Sequence, residues 1–124
     1  EEMHVASLIH KGFNQDPTVL GAWDLIEMAT LNGAKAIGLE NTGSLEVGKA
    51  ADLCVIDLNA VHLAPAVDIP NLLVNSCSAQ DVAMTVVDGN IVYEKGSGES
   101  SFQRCEEFIS AKARLNDAVG RLFS

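Results

Sequence analysis

The chain has 124 residues, enough for one domain with a single core of modest size. Hydrophobic residues make up 48% of it, which argues against disorder throughout, and the scarcity of aromatic residues indicates an aliphatic core. The formal net charge of −9 argues against nucleic acid or an anionic membrane as a partner, because phosphates would be repelled. No apolar run approaches the length of a membrane span, and a cytoplasmic location is expected.

The chain contains three cysteines, Cys54, Cys77 and Cys105, and no CxxC pair. This odd count without paired spacing predicts neither a disulfide framework nor a zinc ribbon. Cys54 and Cys105 are predicted to be reduced, buried thiols.

Two helices are predicted in the first part of the chain. Apolar positions recur at helical spacing over residues 1–11, and Gly12 is placed to end that helix. A second helix is predicted over residues 22–37, with Gly38 as its cap. Gly33 within it costs about 1 kcal/mol relative to alanine, so a close contact with a neighbouring helix or strand is expected there.

A turn and a strand follow at residues 43–57. Gly48 stands where a type II turn needs a residue that tolerates positive φ. The apolar run from Leu53 to Ile56 is bounded by Asp52 and Asp57. An unbroken apolar run of this length predicts a strand covered on both faces.

Residues 58–81 show little periodicity, so they predict a loop that is functional or wraps another domain. Within it, residues 72–74 are compatible with one helical turn or a short strand. Residues 82–94 predict a β-hairpin, because Asp88-Gly89 between apolar runs favours a type I′ turn.

A last helix is predicted over residues 101–122, beginning at a capping box formed by Ser100 and Gln103. Its apolar stripe consists of Phe108, Ala111, Leu115, Val119 and Leu122. The predicted fold class is α/β, or α+β for the chain by itself, divided into residues 1–42, 43–96 and 97–124.

The histidines do not form a metal-binding pattern. His4 and His10 are six residues apart, which places them on different sides of a helix, and His62 lies in a loop. All three are interpreted as surface or packing residues. No metal ligand, catalytic residue or cofactor-binding residue is predicted in this chain.

Other candidate groups lack the partners that catalysis needs. Asp52 and Asp57 flank a strand and point to opposite faces, so they do not predict a catalytic pair. Residues 76–78, Ser-Cys-Ser, offer nucleophile types without an elbow motif or an adjacent histidine. No glycine pattern of a phosphate-binding loop is present.

One stretch of the chain has a specific pattern: Gly43-Ser44-Leu45, Gly48-Lys49 and Ala51-Asp52, followed by apolar residues and Asp57. It resembles a strand of the small β domain in the amidohydrolase superfamily, in the chlorohydrolase and aminohydrolase branch that includes S-adenosylhomocysteine, adenosine-type and guanine deaminases. Five stretches match the family in order: residues 1–11, 29–36, 43–57, 62–65 and 87–92.

The resemblance implies a TIM-like barrel with a small composite β-sandwich built from both chain ends. It also implies one divalent metal, zinc or another such as iron, that activates a hydroxide. The hydroxide would attack a carbon of a purine, pyrimidine or triazine-like ring, and a C–N or C–Cl bond would be hydrolysed. The family's metal ligands would all lie upstream of Glu1. We therefore expect the C-terminal portion of such an enzyme: the last barrel helices in residues 1–42, strands of the small domain in residues 43–96, and a C-terminal helix.

The chain by itself is expected to bind no catalytic zinc and to deaminate nothing. Its expected partners are the missing N-terminal barrel segment or further copies of itself, which would join through unpaired sheet edges in a homo-oligomer. The complete enzyme is expected to act on a small heterocyclic substrate. The alternative is a non-catalytic α/β interaction module that self-assembles or complements a partner chain.

Overall fold

The computed structural model describes residues 1–96 and 106–122, and its architecture is mixed α/β. The helices are α1 (Glu2–Asn14), α2 (Ala22–Glu27), α3 (Gly33–Ala36), α4 (Ile69–Asn75) and α5 (Glu106–Leu122). The strands are β1 (Leu53–Ile56), β2 (Val82–Val87) and β3 (Asn90–Glu94), which form one antiparallel sheet in the order β1-β2-β3. Two short 3₁₀ turns, Val61–Leu63 and Ala79–Asp81, complete the connections.

Helix α1 confirms the first predicted helix but extends further than expected. The prediction that Gly12 ends it is wrong: Gly12 stays helical, and Gln15 adopts the left-handed conformation with φ 51°. The N–H of Asp16 then turns back to the carbonyl of Lys11 at 3.2 Å. The helix stops here because Pro17 disfavours a helical conformation at the residue before it.

The second predicted helix is confirmed as α2 and α3, joined by one π-helical turn, Met28–Asn32. A Cβ at Gly33 would lie 3.2 Å from the carbonyl oxygen of Met28. The expected close contact therefore exists, but it comes from the helix's own widened turn rather than from a neighbouring element. Gly38, with φ 77°, ends the helix as predicted, and the N–H of Leu39 bonds the carbonyl of Ala34 at 2.9 Å.

The turn before β1 is confirmed. Gly48 has φ 92°, and the N–H of Lys49 donates to the carbonyl of Glu46 at 3.2 Å, as in a type II turn. The prediction that β1 is covered on both faces is wrong, since Val55 is 41% exposed and Cys54 is exposed. The buried thiol predicted at Cys54 is wrong for the same reason: Cys54 and Val55 point to opposite faces of β1, and both are exposed.

The hairpin is confirmed as β2 and β3. Asp88 and Gly89 both have positive φ, 48° and 75°, which is the signature of the type I′ turn. Residues 72–74 belong to α4 rather than to a strand. The carboxylate of Asp68 caps that helix by accepting the N–H of Asn71, and Pro70 lies in its first turn, where no hydrogen-bond donor is needed.

The core lies in the helical part of the molecule. Helices α1, α2 and α4 pack on one another. Among the residues whose burial is described, the buried apolar ones are Leu25, Ala34, Leu63 and Val74, and the buried polar ones are Ser7 and Asp81. By contrast, no residue of the three strands is buried.

Helix α5 confirms most of the last predicted helix. Its predicted start at residue 101, the capping box of Ser100 and Gln103, and Cys105 lie outside the described residues. Along α5, every residue whose exposure is described is exposed. Within residues 1–96 and 106–122, no helix is long and apolar enough to cross a membrane.

Candidate functional site

The best-organised polar cluster centres on Asp81, at the end of the second 3₁₀ turn. Its side chain is 3% exposed. One carboxylate oxygen, Oδ2, accepts the backbone N–H of Ser78 at 2.8 Å and the hydroxyl of Ser78 at 3.0 Å. The same oxygen lies 3.0 Å from Nε2 of His62. The cluster thereby joins the two 3₁₀ turns to the start of β2.

Electrostatics favour the ionised form of Asp81. The backbone N–H of Ser78 is the largest cause that holds the pKa of this carboxyl below its ordinary value of 3.8, and burial opposes it. The side chains of His62 and Ser78 lower the pKa of Asp81 further. The carboxylate is therefore charged at neutral pH and acts as a fixed acceptor.

The order of these groups does not activate a nucleophile. In a catalytic triad an imidazole lies between the hydroxyl and the carboxylate, and it takes the hydroxyl proton. Here the hydroxyl of Ser78 donates to the carboxylate instead. Burial, and then the charge of Asp81, raise the pKa of the adjacent Cys77 thiol, which disfavours its reactive thiolate. The cluster is built to orient the chain at this point.

A cavity of about 480 Å³ lies between the start of α1, the end of α4 and the start of β2. Its size falls within the range of small-molecule sites. Nδ1 of His4 and Oδ1 of Asn75 meet in its wall at 3.2 Å. The remaining lining residues are Glu1, Val74, Cys77, Ser78, Ala79 and Val82.

Asp52 performs a second positioning role, at the base of the hairpin turn. Its Oδ1 accepts the backbone N–H of Asp88 at 2.8 Å, and its Oδ2 accepts the hydroxyl of Thr42 at 2.8 Å. These two bonds, that from Asp88 being the larger cause, hold the pKa of Asp52 below its ordinary value. The other aspartate that flanks β1, Asp57, has a separate partner, Asn59.

The structure brings together residues that no sequence pattern connects. His62 and Asp81 are 19 positions apart, and His4 and Asn75 are 71 apart. The spacing of Ser78 and Asp81 is that of a capping box, which is the one local signal that marked this cluster. Folding decided the rest.

Metal ligands are not gathered anywhere in the described part of the chain. Across residues 1–96 and 106–122, no three His, Cys, Asp or Glu side chains come close enough to hold an ion. His4 and His62 are held by different partners, Asn75 and Asp81, and the backbone carbonyl of His10 bonds the side chain of Asn14. The described residues therefore do not fit a catalytic metal.

Comparison with known proteins covers most of the chain. A family model described as the amidohydrolase family matches residues 1–92. A 5-methylthioadenosine/S-adenosylhomocysteine deaminase from Acetivibrio thermocellus is 47% identical over 95 residues, or 76% of this chain and 22% of that protein. A 5′-deoxyadenosine deaminase from Methanosarcina acetivorans is 48% identical over 94 residues, with the same coverage of 76% and 22%. The chain thus spans about a fifth of the length of these curated relatives.

Solved structures match the fold over a longer part of this chain. An adenosine deaminase from Xanthomonas campestris with bound zinc superposes with a TM-score of 0.81 and 26% identity, covering 97% of this chain and 27% of that one. An atrazine chlorohydrolase from Arthrobacter aurescens in complex with zinc gives a TM-score of 0.74 and 25% identity, covering 92% of this chain and 25% of that one.

Proposed function

This chain belongs to the amidohydrolase family, and we propose that it is the C-terminal part of a hydrolytic deaminase that acts on an adenine nucleoside. The observation that carries the proposal is the family match over residues 1–92, together with 47% identity to a deaminase of which this chain spans 22%. The two curated relatives described above are both named as deaminases of adenosine derivatives, which favours a purine over a pyrimidine or triazine ring.

In this proposal, residues 1–42 are the last helices of a TIM-like barrel, and residues 43–96 form part of a small β domain. The division is supported by the order of elements, since α1, α2 and α3 precede all three strands. The exposure of the sheet supports the same division. A three-stranded sheet without a buried residue needs another layer packed against it.

A divalent metal is proposed for the complete enzyme, since the two solved relatives carry zinc. The described residues of this chain supply no set of three ligands, so the metal would be held by the preceding segment. The proposed contribution of this chain is structural. Asp52 and Asp81 hold the turn regions that connect the helices to the sheet.

A second candidate is a non-catalytic module that associates with copies of itself. One observation favours it: Val55, Val87 and Ile91 are 41%, 50% and 52% exposed on the sheet. Exposed apolar side chains on a small sheet with open edges promote self-association.

Activity of the complete reading frame separates the two candidates. The protein encoded with its upstream segment should release ammonia from 5′-deoxyadenosine or S-adenosylhomocysteine, should lose activity on chelation, and should recover it with zinc. The 124-residue chain assayed in parallel should release none. Ammonia release by the short chain, or inactivity of the zinc-loaded complete protein on adenosine-type substrates, would overturn the proposal.

A further inference from the structure

One carboxylate oxygen of Asp81 joins the two 3₁₀ turns. Its Oδ2 accepts the backbone N–H and the hydroxyl of Ser78, and it lies 3.0 Å from Nε2 of His62. An ionised carboxylate can only accept hydrogen bonds, so the ring of His62 must carry a proton on Nε2. Three donors therefore point at one oxygen of a side chain that is 3% exposed.

The first 3₁₀ turn, Val61–Leu63, uses this oxygen for a long-range hydrogen bond. The backbone bond of the turn is local, since the N–H of Leu63 donates to the carbonyl of Ala60 at 2.9 Å. The bond from His62 to Asp81 spans 19 positions and joins this turn to the second one. Leu63 is fully buried, whereas Val61 is 92% exposed. An apolar side chain and a bond to a carboxylate thus attach the turn to the rest of the fold.

The backbone of Asp81 is anchored independently of its side chain. The carbonyl of Asp81 accepts the N–H of Asp57, at the end of β1, at 2.7 Å. The N–H of Asp81 donates to the carbonyl of Ser78 at 3.1 Å. Neither bond involves the carboxylate. A change of charge at Asp81 therefore acts on the bond to the first turn and leaves the second turn attached to the sheet.

Ionisable groups besides the imidazole ring approach Asp81 from three other elements. Asp57, at the end of β1, carries a like charge. Cys77, after α4, is a neutral thiol in acid, because burial and then the charge of Asp81 raise its pKa. Lys95, after β3, donates from Nζ to the carbonyl of Gln80 at 2.9 Å. A lysine keeps its charge throughout the acid range, so Asp57 is the neighbour for which an experiment must control.

We propose that the carboxylate of Asp81 is an acid-sensitive link: when it is protonated, the first 3₁₀ turn separates from the second, while the helices and the β-hairpin stay folded. A neutral carboxyl either carries its proton on Oδ2, where three donors already point, or leaves Oδ2 as an uncharged acceptor. Both forms weaken the three bonds, because hydrogen bonds to a charged acceptor are roughly twice as strong as neutral ones.

The direction of the pH dependence follows from the pKa of Asp81. The backbone N–H of Ser78 is the largest cause that holds this pKa below its ordinary value of 3.8. A group whose pKa is lowered by folding contributes stability above its ordinary value and loses it as the pH falls through the lower value of the folded state. The link is therefore complete at neutral pH and is released only in acid.

NMR of the 124-residue chain, titrated from about pH 7 to about pH 2, tests the link. The amide proton of Ser78 bonds Asp81 directly, so its chemical shift should follow the carboxylate, with a midpoint below 3.8. Hydrogen exchange of the Leu63 amide, corrected for its intrinsic dependence on pH, should accelerate at least about tenfold over the same range. The amide of Lys95 bonds the carbonyl of Ala83 in the hairpin and should keep its protection.

Three variants assign the effect to this carboxylate. Asp81→Asn, which cannot ionise, should speed exchange of the Leu63 amide already at neutral pH and abolish its pH dependence. His62→Ala, at a side chain that is 49% exposed, should have the same effect on Leu63. It should leave the titration of the Ser78 amide in place, because Asp81 still accepts that N–H. The matched control Asp57→Asn removes the neighbouring carboxylate and should leave the Leu63 transition in place.

Several outcomes would overturn the link. Loss of protection at Leu63 and Lys95 at the same pH would identify global acid unfolding. A Leu63 transition that survives in Asp81→Asn, or that disappears in Asp57→Asn, would assign it to another group. If Asp81→Asn does not fold, His62→Ala decides: exchange of Leu63 as slow as in the parent at neutral pH would refute the link. None of these readouts measures ammonia release, so the link and the proposed deaminase activity can fail separately.

Discussion

The helical layer and the sheet contain similar apolar residues but bury them very differently. Leu25 of α2 and Val74 of α4 are 2% and 3% exposed, in a layer where α1, α2 and α4 pack on one another. In the sheet, Leu53, Val55, Met84, Val86 and Ile91 share one face by their pairing, and none of them is buried. An apolar run in the sequence predicts a strand whose apolar face needs another element packed on it. Only the tertiary structure shows whether that element belongs to the same part of the chain.

The largest loss of stability should follow from removing a fully buried side chain of the core. Leu63→Ala is expected to lower the free energy of unfolding of the 124-residue chain by roughly 2–5 kcal/mol, because it leaves a cavity at a fully buried position. Urea denaturation measures the change. Val61→Ala, in the same 3₁₀ turn but 92% exposed, is the control and should change it by less than about 0.5 kcal/mol. Equal effects of the two variants would show that Leu63 does not belong to a specifically packed core.

A backbone contact within the helical part provides the next test. Gly43 has φ 89°, and a Cβ there would lie 3.0 Å from both the Cβ of Ala34 and the carbonyl oxygen of Thr30. Gly43→Ala should destabilise the chain by about 2–4 kcal/mol, because backbone strain and a clash add together. The midpoint of thermal or urea unfolding reports it, and a value within error of the parent would contradict the close packing of this loop on α3.

A substitution at Gly48 tests backbone strain without a steric clash, because its φ is 92° and no atom lies within 4 Å of a Cβ built there. Gly48→Val should destabilise by roughly 1–2 kcal/mol in the same denaturation assay. Gly12→Ala is the control, because Gly12 lies inside α1 with open space around it, and alanine should stabilise that helix. A loss as large as that of Gly43→Ala would mean that the turn before β1 is packed after all.

The smallest effect is expected on the sheet. Val55→Thr should change the stability of the 124-residue chain by less than about 0.5 kcal/mol, because the side chain is already 41% exposed. In the complete protein the same substitution should cost more, since the proposed second layer would bury it. A loss of more than about 1 kcal/mol in the short chain, measured at several protein concentrations, would indicate that copies already cover the sheet.

Local chemistry accounts for the features that were predicted correctly. The hairpin turn at Asp88-Gly89 and the type II turn at Gly48 depend on residues that tolerate positive φ. The identity of a single residue is enough to predict this property. The helix over residues 22–36 depends on a periodic apolar pattern and a glycine cap. The end of α1 was placed wrongly because Pro17, rather than Gly12, decides where that helix stops.

The candidate site was less predictable. His62 was interpreted as a surface or packing residue, and its approach to Asp81 joins positions 19 apart through a loop without periodicity. The pairing of His4 with Asn75 spans 71 positions. Such contacts depend on how α1 and α4 pack, which no local pattern reports.

By itself, the sequence determined the helices of residues 1–36, the three strands, the turns at Gly48 and Asp88-Gly89 and the family, because these depend on local backbone preferences and on short motifs. The tertiary structure alone decided which apolar residues are covered. Leu63 and Val55 both lie in apolar surroundings in the sequence, yet one is fully buried and the other is 41% exposed. Burial depends on surfaces that meet across the fold, and the described chain leaves both Cys54 and Val55, on opposite faces of β1, exposed.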